Sequence, residues 1–350
     1  MWNRPANWNL ILGALLAGST ASALAADGDM VSQTNLNRLT LRGRATFNIS
    51  AKFTKLAAVK PARSVGGTGG ALDHYYDDGF VRVDNSDNFG GQTWFWGYDR
   101  ASQVSGDNIL FHSSKTAGAA SKDVSCDPYP GFELVYNRQF GTFGKREQHR
   151  WGLEASLGWT SVGISDKRAL HATANQITDS YSFTPGTTPP AAPFQGTFEG
   201  PNFVLNDTPS RSSASVPGGA TVRGRREFDG SLFVGHLGPY AEFALSEKLS
   251  LAVSGGLAVG LMNGNLSLNQ TVSFASASPL RRRASSSDSD VLLGGFLGAN
   301  LSYQFNERWS ASVGVQFESL GDYTQSAGGS KAKVDLGAAF HVSLGVSYSF

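Results

Sequence analysis

Apolar and polar residues alternate with a period of two along most of the chain, and the last segment shows it best. Val334, Leu336, Ala338, Phe340, Val342, Leu344, Val346, Tyr348 and Phe350 are interleaved with Asp335, Gly337, Ala339, His341, Ser343, Gly345, Ser347 and Ser349. Strand side chains point to opposite faces in turn, so this run has one greasy face and one small or polar face. The same alternation predicts strands over 39–53, 132–140, 151–160, 225–245, 249–261, 291–305 and 309–318. Within 225–245 the apolar parity changes from Phe228, Leu232 and Val234 to Phe243 and Leu245, which predicts a bulge between Gly235 and Pro239. The expectation is eight strands, each long enough for the roughly nine to eleven residues that a tilted membrane-spanning strand needs.

The connections alternate as well. Residues 141–150, 246–248 and 306–308 are short, whereas 54–131, 165–224, 262–290 and 319–333 are long. An up-and-down barrel with short turns on one rim and long loops on the other has this asymmetry, whereas a soluble sandwich has no need of it. Aromatic residues give a second sign. With the short turns placed below, Phe140, Trp151, Phe243, Tyr303, Phe305, Trp309, Tyr348 and Phe350 fall at the lower rim and Phe53, Trp159, Phe228 and Phe317 toward the upper. Aromatic girdles belong where hydrocarbon meets headgroups. The predicted fold is therefore all-β, a transmembrane antiparallel up-and-down β-barrel with long extracellular loops and short periplasmic turns.

Composition narrows the class. Forty-two Gly and twenty-two Phe with 16% charged residues suit strands and turns rather than helices. Residues 1–25 carry one positive charge at Arg4, a short apolar run and the small residues Ala23-Leu24-Ala25, which together predict a signal peptide cleaved between Ala25 and Ala26. The remaining chain, 26–350, then holds 28 basic and 28 acidic residues, because Arg4 is one of the 29 basic residues in all. No global basic field draws nucleic acid. The single cysteine, Cys126, excludes an intrachain disulfide and a cysteine zinc cluster. No cofactor or metal motif is present, and Gly66-Gly67-Thr68-Gly69-Gly70 lacks the Lys-Ser/Thr ending of a phosphate loop.

On these residues the chain resembles the small outer-membrane β-barrel proteins of Gram-negative bacteria, the group that includes the OmpA transmembrane domain and the OmpW-type and opacity-type proteins. The sharpest likeness is the C-terminal alternation through Tyr348 to Phe350, which looks like that group's assembly signal. The resemblance implies export to the outer membrane, contact with its lipid and lipopolysaccharide, insertion by the barrel-insertion machinery, and a monomer. The segment 54–130 fits less simply. A hairpin over Gly79–Asp84 and Gln92–Tyr98 and a short strand at Ile109–Phe111 read as an extracellular or lumen-inserted subdomain, or as two further barrel strands that would make ten.

Candidate chemistry is sparse. The alternation turns Arg42, Arg44, Lys52, Glu133, Glu154, Arg225, Glu227, Asp229, Glu242, Glu318, Asp335 and His341 toward the lumen. Of these Arg42, Arg44, Glu154 and Glu242 are expected together in the periplasmic half. They form either an ionic plug or a hydrated polar interior, since eight strands enclose just enough space for side chains to fill. His341 and Ser343 share a face without the base-and-acid geometry of a hydrolase, so His341 reads as a structural residue. Arg281, Arg282 and Arg283, in a predicted outward loop, are candidates for contact with lipopolysaccharide phosphates or are simply solvated. The sequence reads as a non-enzymatic barrel, structural or a passive pore for small solutes, with a surface adhesin or receptor acting through its loops as the alternative and an outer-membrane enzyme as the third reading.

Overall fold

The computed structural model describes residues 36–60, 65–145, 147–275 and 277–350, so the expected cleavage point at Ala25 and Ala26 lies outside the described residues. In chain order the strands are β1 (Asn37–Phe47), β2 (Ser50–Thr54), β3 (His74–Tyr76), β4 (Gly79–Val81), β5 (Gln92–Thr93), β6 (Trp96–Tyr98), β7 (Val104–Ser105), β8 (Asn108–Thr116), β9 (Tyr129–Phe143), β10 (His149–Asp166), β11 (Leu170–Ser182), β12 (Phe194–Gln195), β13 (Leu205–Asn206), β14 (Ser210–Ala244), β15 (Leu249–Phe274), β16 (Leu280–Gln304), β17 (Trp309–Ser319), β18 (Asp322–Ala327), β19 (Ser330–Asp335) and β20 (Ala339–Ser349). Eight of them close a ring in the order β1, β9, β10, β14, β15, β16, β17, β20 and back to β1, every neighbour antiparallel. The first and last strands seal it: Asn37 and Phe350 exchange backbone hydrogen bonds of 3.1 and 2.8 Å. Closure leaves no sheet edge in the ring, as lipid requires.

Within the ring the alternation holds as read. Leu257, Leu293 and Leu344 point outward, each 70% exposed or more. The aromatic rims fall on shared rungs: Trp309 opposite Tyr348 below, Phe317, Phe340 and Phe47 above, and Phe132, Trp159 and Phe233 on another upper rung. Trp151 and Trp159 are eight residues apart. At about 3.3 Å per residue and a tilt of about 40°, the rims stand roughly 20 Å apart, close to the apolar band of an outer-membrane barrel.

Above the upper rim the pattern turns inside out. Phe53, Phe228 and Val334 are fully buried in the interior, and Lys52, Asp229 and Asp335 face water. This corrects the expected positions of Phe53 and Phe228, which are core rather than girdle. It also removes Lys52, Arg225, Glu227, Asp229 and Asp335 from the lumen. Two devices produce the switch. Where β1 passes into β2, Asn48 adopts a left-handed φ of 63°, and its Nδ2 donates to the carbonyl of Ala338, in the Gly337–Ala338 turn that separates β19 from β20. Gly321, at φ 81°, breaks β17 from β18. On β10 the backbone does not change; the sequence swaps its parity, between outward Trp159 and inward Val162.

The expected bulge on β14 is absent for the same reason. Its register with β10 is constant from Arg226 to Glu242, and the parity change there marks the exchange of apolar lining for apolar exterior. Residues 262–274 and 280–290, expected as loop, extend the β15–β16 hairpin far above the rim. Upper β14 also pairs with β11, and β11 with β8. β18, β19 and β2 form a separate three-stranded sheet.

This upper storey encloses a continuous apolar core that includes Phe53, Leu56, Ile164, Phe228, Met262 and Leu320. Residues of the 54–130 segment contribute to it directly, with Leu56 and Val59 bridged to Ala119 and Thr116. One seam lacks a ladder: β16 meets β17 only from Gly295 downward, and above that Tyr323 and Gln325 of β18 donate to the carbonyls of Asp288 and Ser286 at 3.0 and 2.7 Å. Burial, with Asp288 and Asp290 nearby, pushes the Tyr323 hydroxyl up to about 12. A second core around Trp96, Tyr98, Phe111, Tyr181 and Leu205 organises a cap of short strands, in which β4 pairs with β6.

Candidate functional site

The lumen is filled from the periplasmic end upward by paired polar groups. At the bottom Arg38 reaches Glu242 at 2.8 Å, and Ser250 donates to the same carboxylate at 2.8 Å. Glu154 accepts from Asn137 Nδ2 at 2.8 Å. Arg44 stands higher, three residues below Phe47 at the upper rim, and Arg42 lies midway along β1. Of the four charges expected together, Glu242 and Glu154 lie toward the periplasmic end, Arg42 at mid-height, and Arg44 in the outer half.

Glu133 is the partner that brings the two arginines together, at 3.7 Å from Arg42 and 4.0 Å from Arg44. It lies directly opposite Arg42 on the β1–β9 ladder. Ser156 donates to Glu133 at 2.8 Å, and Arg44 donates to Thr160 at 2.9 Å. His236 then bridges the lumen, with Nδ1 3.2 Å from Glu133 and Nε2 2.6 Å from Glu318. Glu318 also faces His341 at 3.7 Å, and His341 Nδ1 is 2.9 Å from Thr46 Oγ1. All of these ionisable groups are buried, Glu318 completely. Buried charge is tolerated only when it is paired and hydrogen-bonded, and here β1, β9, β10, β14, β17 and β20 all supply partners. Ser343, on the same face as His341, donates to the carbonyl of Gly314 at 3.4 Å.

Apolar side chains lie immediately above. Phe296 packs at a tilt against His236 with ring centroids 4.7 Å apart, and Leu292, Leu320, Val234 and Ala258 continue into the upper core. The column of charge thus ends against a layer of hydrocarbon. Arg38 and His236, neither placed in the network by sequence, complete it. Arg38 has the right parity on β1 to be found, whereas the parity change on β14 conceals His236.

Outside, Arg281, Arg282 and Arg283 belong to β16 rather than to a loop, and they divide by parity. Arg281 shares a rung with Thr271 and Arg223, and Arg283 with Asn269 and Arg225, whereas Arg282 lies opposite inward-facing Gln270. On the cap, Asp179 is fully buried and takes two bonds from Arg211, at 2.7 and 2.6 Å, and one from Tyr76 at 2.7 Å. Burial first, and then the neighbouring Tyr181 and Asp179, hold the Tyr76 hydroxyl far above its usual range. Arg82 lies over the Phe95 ring at 4.7 Å, and Phe95 meets Phe80 and Phe198 edge-on at 5.6 and 6.1 Å.

A closed ring with an apolar belt between aromatic rims defines the class of the chain, a transmembrane β-barrel of the bacterial outer membrane. Among solved structures it is similar to Ail, the attachment invasion locus protein of Yersinia pestis, at 10% identity over 89% of this chain and 98% of that one, with a TM-score of 0.27. It is also similar to the outer membrane protein OprG from Pseudomonas aeruginosa, at 11% identity over 91% and 97%, with a TM-score of 0.34. The outer membrane protease OmpT from Escherichia coli gives 9% identity over 89% and 97%, with a TM-score of 0.32. No family model and no curated protein matches the chain. The class therefore rests on the closure, belt and rims.

Proposed function

We propose that this protein is a non-conducting, non-enzymatic surface barrel that acts through its extracellular face as an adhesin or receptor, rather than as a passive pore. The observation that carries this reading is the interior of the upper storey, where Phe228, Met262 and Leu266 are buried to within 1% in one apolar core above the paired charges. Passage would require hydrated solutes to displace close-packed hydrocarbon, and packed interiors leave few voids larger than a water molecule. The cap supports the same reading. Its partly exposed Arg82 and Phe95, with Phe198 47% exposed, have the aromatic and arginine composition of recognition surfaces. Planar-bilayer recording of the refolded full chain tests the proposal: a silent membrane is expected, and steady single-channel steps would overturn it.

A further inference from the structure

The outer wall of the upper storey carries a cluster of cations that the lumen and the cap do not use. Side chains that alternate outward on three neighbouring strands place Arg223 and Arg281 on one rung and Arg225 and Arg283 on the next, with Thr271 and Asn269 between them. Lys167, in the β10–β11 turn, joins Arg225, Arg281 and Arg283 around a cleft of about 610 Å³. Arg225 is ion-paired with Glu227; no carboxylate pairs with Arg223, Arg281, Arg283 or Lys167 among the described residues. Strands lie about 4.8 Å apart and rise about 3.3 Å per residue, so the four guanidinium stems start from corners of a rectangle roughly 10 by 7 Å. Like charges gathered so closely repel, and the gathering is favourable once an anion with several charged groups lies across them.

Height decides which anion reaches them. The last apolar outward rung on this wall joins Phe233, Leu261 and Val291, and Asn269 is eight residues above Leu261. At the usual rise and tilt the cations stand roughly 20 Å above the hydrocarbon edge. The headgroup layer of a bilayer is only about 5 to 8 Å thick on each side, so lipid phosphates lie well below the cleft. The interval between is not blank. Asn263 and Ser289, Asn265 and Ser287, and Ser267 and Ser285 form three outward rungs of amides and hydroxyls leading up to the cations. On β14 the same three rungs carry Ser231, Asp229 and Glu227, so the neutral lane is the β15–β16 side, and its amides and hydroxyls beside Arg281 and Arg283 match a saccharide chain that bears both hydroxyls and phosphate, sulfate or carboxylate groups.

We propose that this wall binds an anionic glycan, with Arg281 and Arg283 holding its charged groups and Arg282 taking no part. The proposal deepens the surface-recognition reading but uses none of the residues that fill the lumen. A conducting barrel would overturn that reading and leave this one standing.

The test uses the refolded full chain in phosphatidylcholine nanodiscs at low salt. Two probes are titrated: dextran sulfate oligosaccharides, and the phosphorylated core oligosaccharide released from lipopolysaccharide. Arg281→Gln with Arg283→Gln should weaken binding at least about tenfold, since a lost charge-assisted hydrogen bond is worth about 1.4 kcal/mol or more. Arg282→Gln should stay within about twofold, and heat-modifiable gel mobility checks that each variant is folded. Tighter binding of the core oligosaccharide would identify the source as the cell's own surface glycan, and binding of dextran sulfate alone a soluble sulfated one. The proposal fails if neither probe binds, if Arg282→Gln weakens binding as much as the double variant, or if phosphatidylglycerol in the nanodisc abolishes it.

Discussion

The membrane storey and the storey above it are built from the same strands and solve opposite problems. On β15, Leu257 and Val259 face outward beneath the rim and Leu266 and Leu268 face inward above it, with no change in ladder register between them. In water the hydrophobic effect drives apolar groups inside; in lipid the exterior is already apolar, so the inside is free to hold charge. The difference teaches that alternation alone does not say which face is the core. The height at which its sense reverses locates the edge of the bilayer.

The largest expected effect strikes the charged interior. Glu318 is fully buried and accepts from His236 at 2.6 Å, with His341 on its other side. Glu318→Ala leaves two rings facing an empty site and should cost about 3 to 5 kcal/mol, the usual penalty for breaking one side of a buried ionic group. Glu318→Gln retains the shape and one acceptor and should recover part of that loss. Urea unfolding in lipid vesicles measures both. If Glu318→Ala unfolds at the wild-type midpoint, water reaches the membrane storey and the two interiors are less different than their packing indicates.

The exteriors allow a comparison within one strand. Leu257 and Ser267 both face outward on β15, one inside the belt and the other above it. Leu257→Arg places a charge in hydrocarbon and should cost about 2 to 4 kcal/mol. Ser267→Arg meets water and should stay within about 0.5 kcal/mol. The same unfolding assay decides, and similar losses at the two sites would mean that the bilayer edge does not lie at the Phe233 rung. Ala258 makes a poor control. It faces inward as its parity requires, but it is 1% exposed within the apolar core and leaves an arginine neither room nor water.

The ring is legible in the sequence because each membrane strand carries its own signal, such as the alternation of Phe340, Val342, Leu344 and Val346 with His341, Ser343 and Gly345. The reversal is also written there, in the step from Trp159 to Val162 and from Phe228 to Phe243, yet a single strand offers bulge and environment as equal explanations. Only the constant register of β14 separates them. The lumen site is half legible for a related reason. Parity shows that Arg42 and Arg44 point inward, but their meeting with Glu133 depends on which rung of β9 lies opposite β1. Arg38 and Glu242 meet across the lumen from strands that are not neighbours, a pairing that no local pattern encodes.

The smallest expected effect concerns the device that reverses β1. Asn48 holds a left-handed backbone at φ 63°, and its side chain donates to Ala338 at 2.8 Å, tying the two interruptions together at one height. Asn48→Ala and Asn48→Gly both remove that hydrogen bond, so the difference between them isolates the backbone. Alanine in the left-handed region costs about 1 to 2 kcal/mol, and glycine avoids that strain. Asn48→Ala should therefore unfold at lower urea than Asn48→Gly by about 1 kcal/mol, partly offset by the greater freedom of glycine in the unfolded chain. Equal midpoints would show that the segment after Phe47 reaches its inward-facing arrangement without the left-handed residue. The reversal on this wall would then be driven by burial of Ile49, Ala51 and Phe53 alone, as it is on β10, where no interruption is needed.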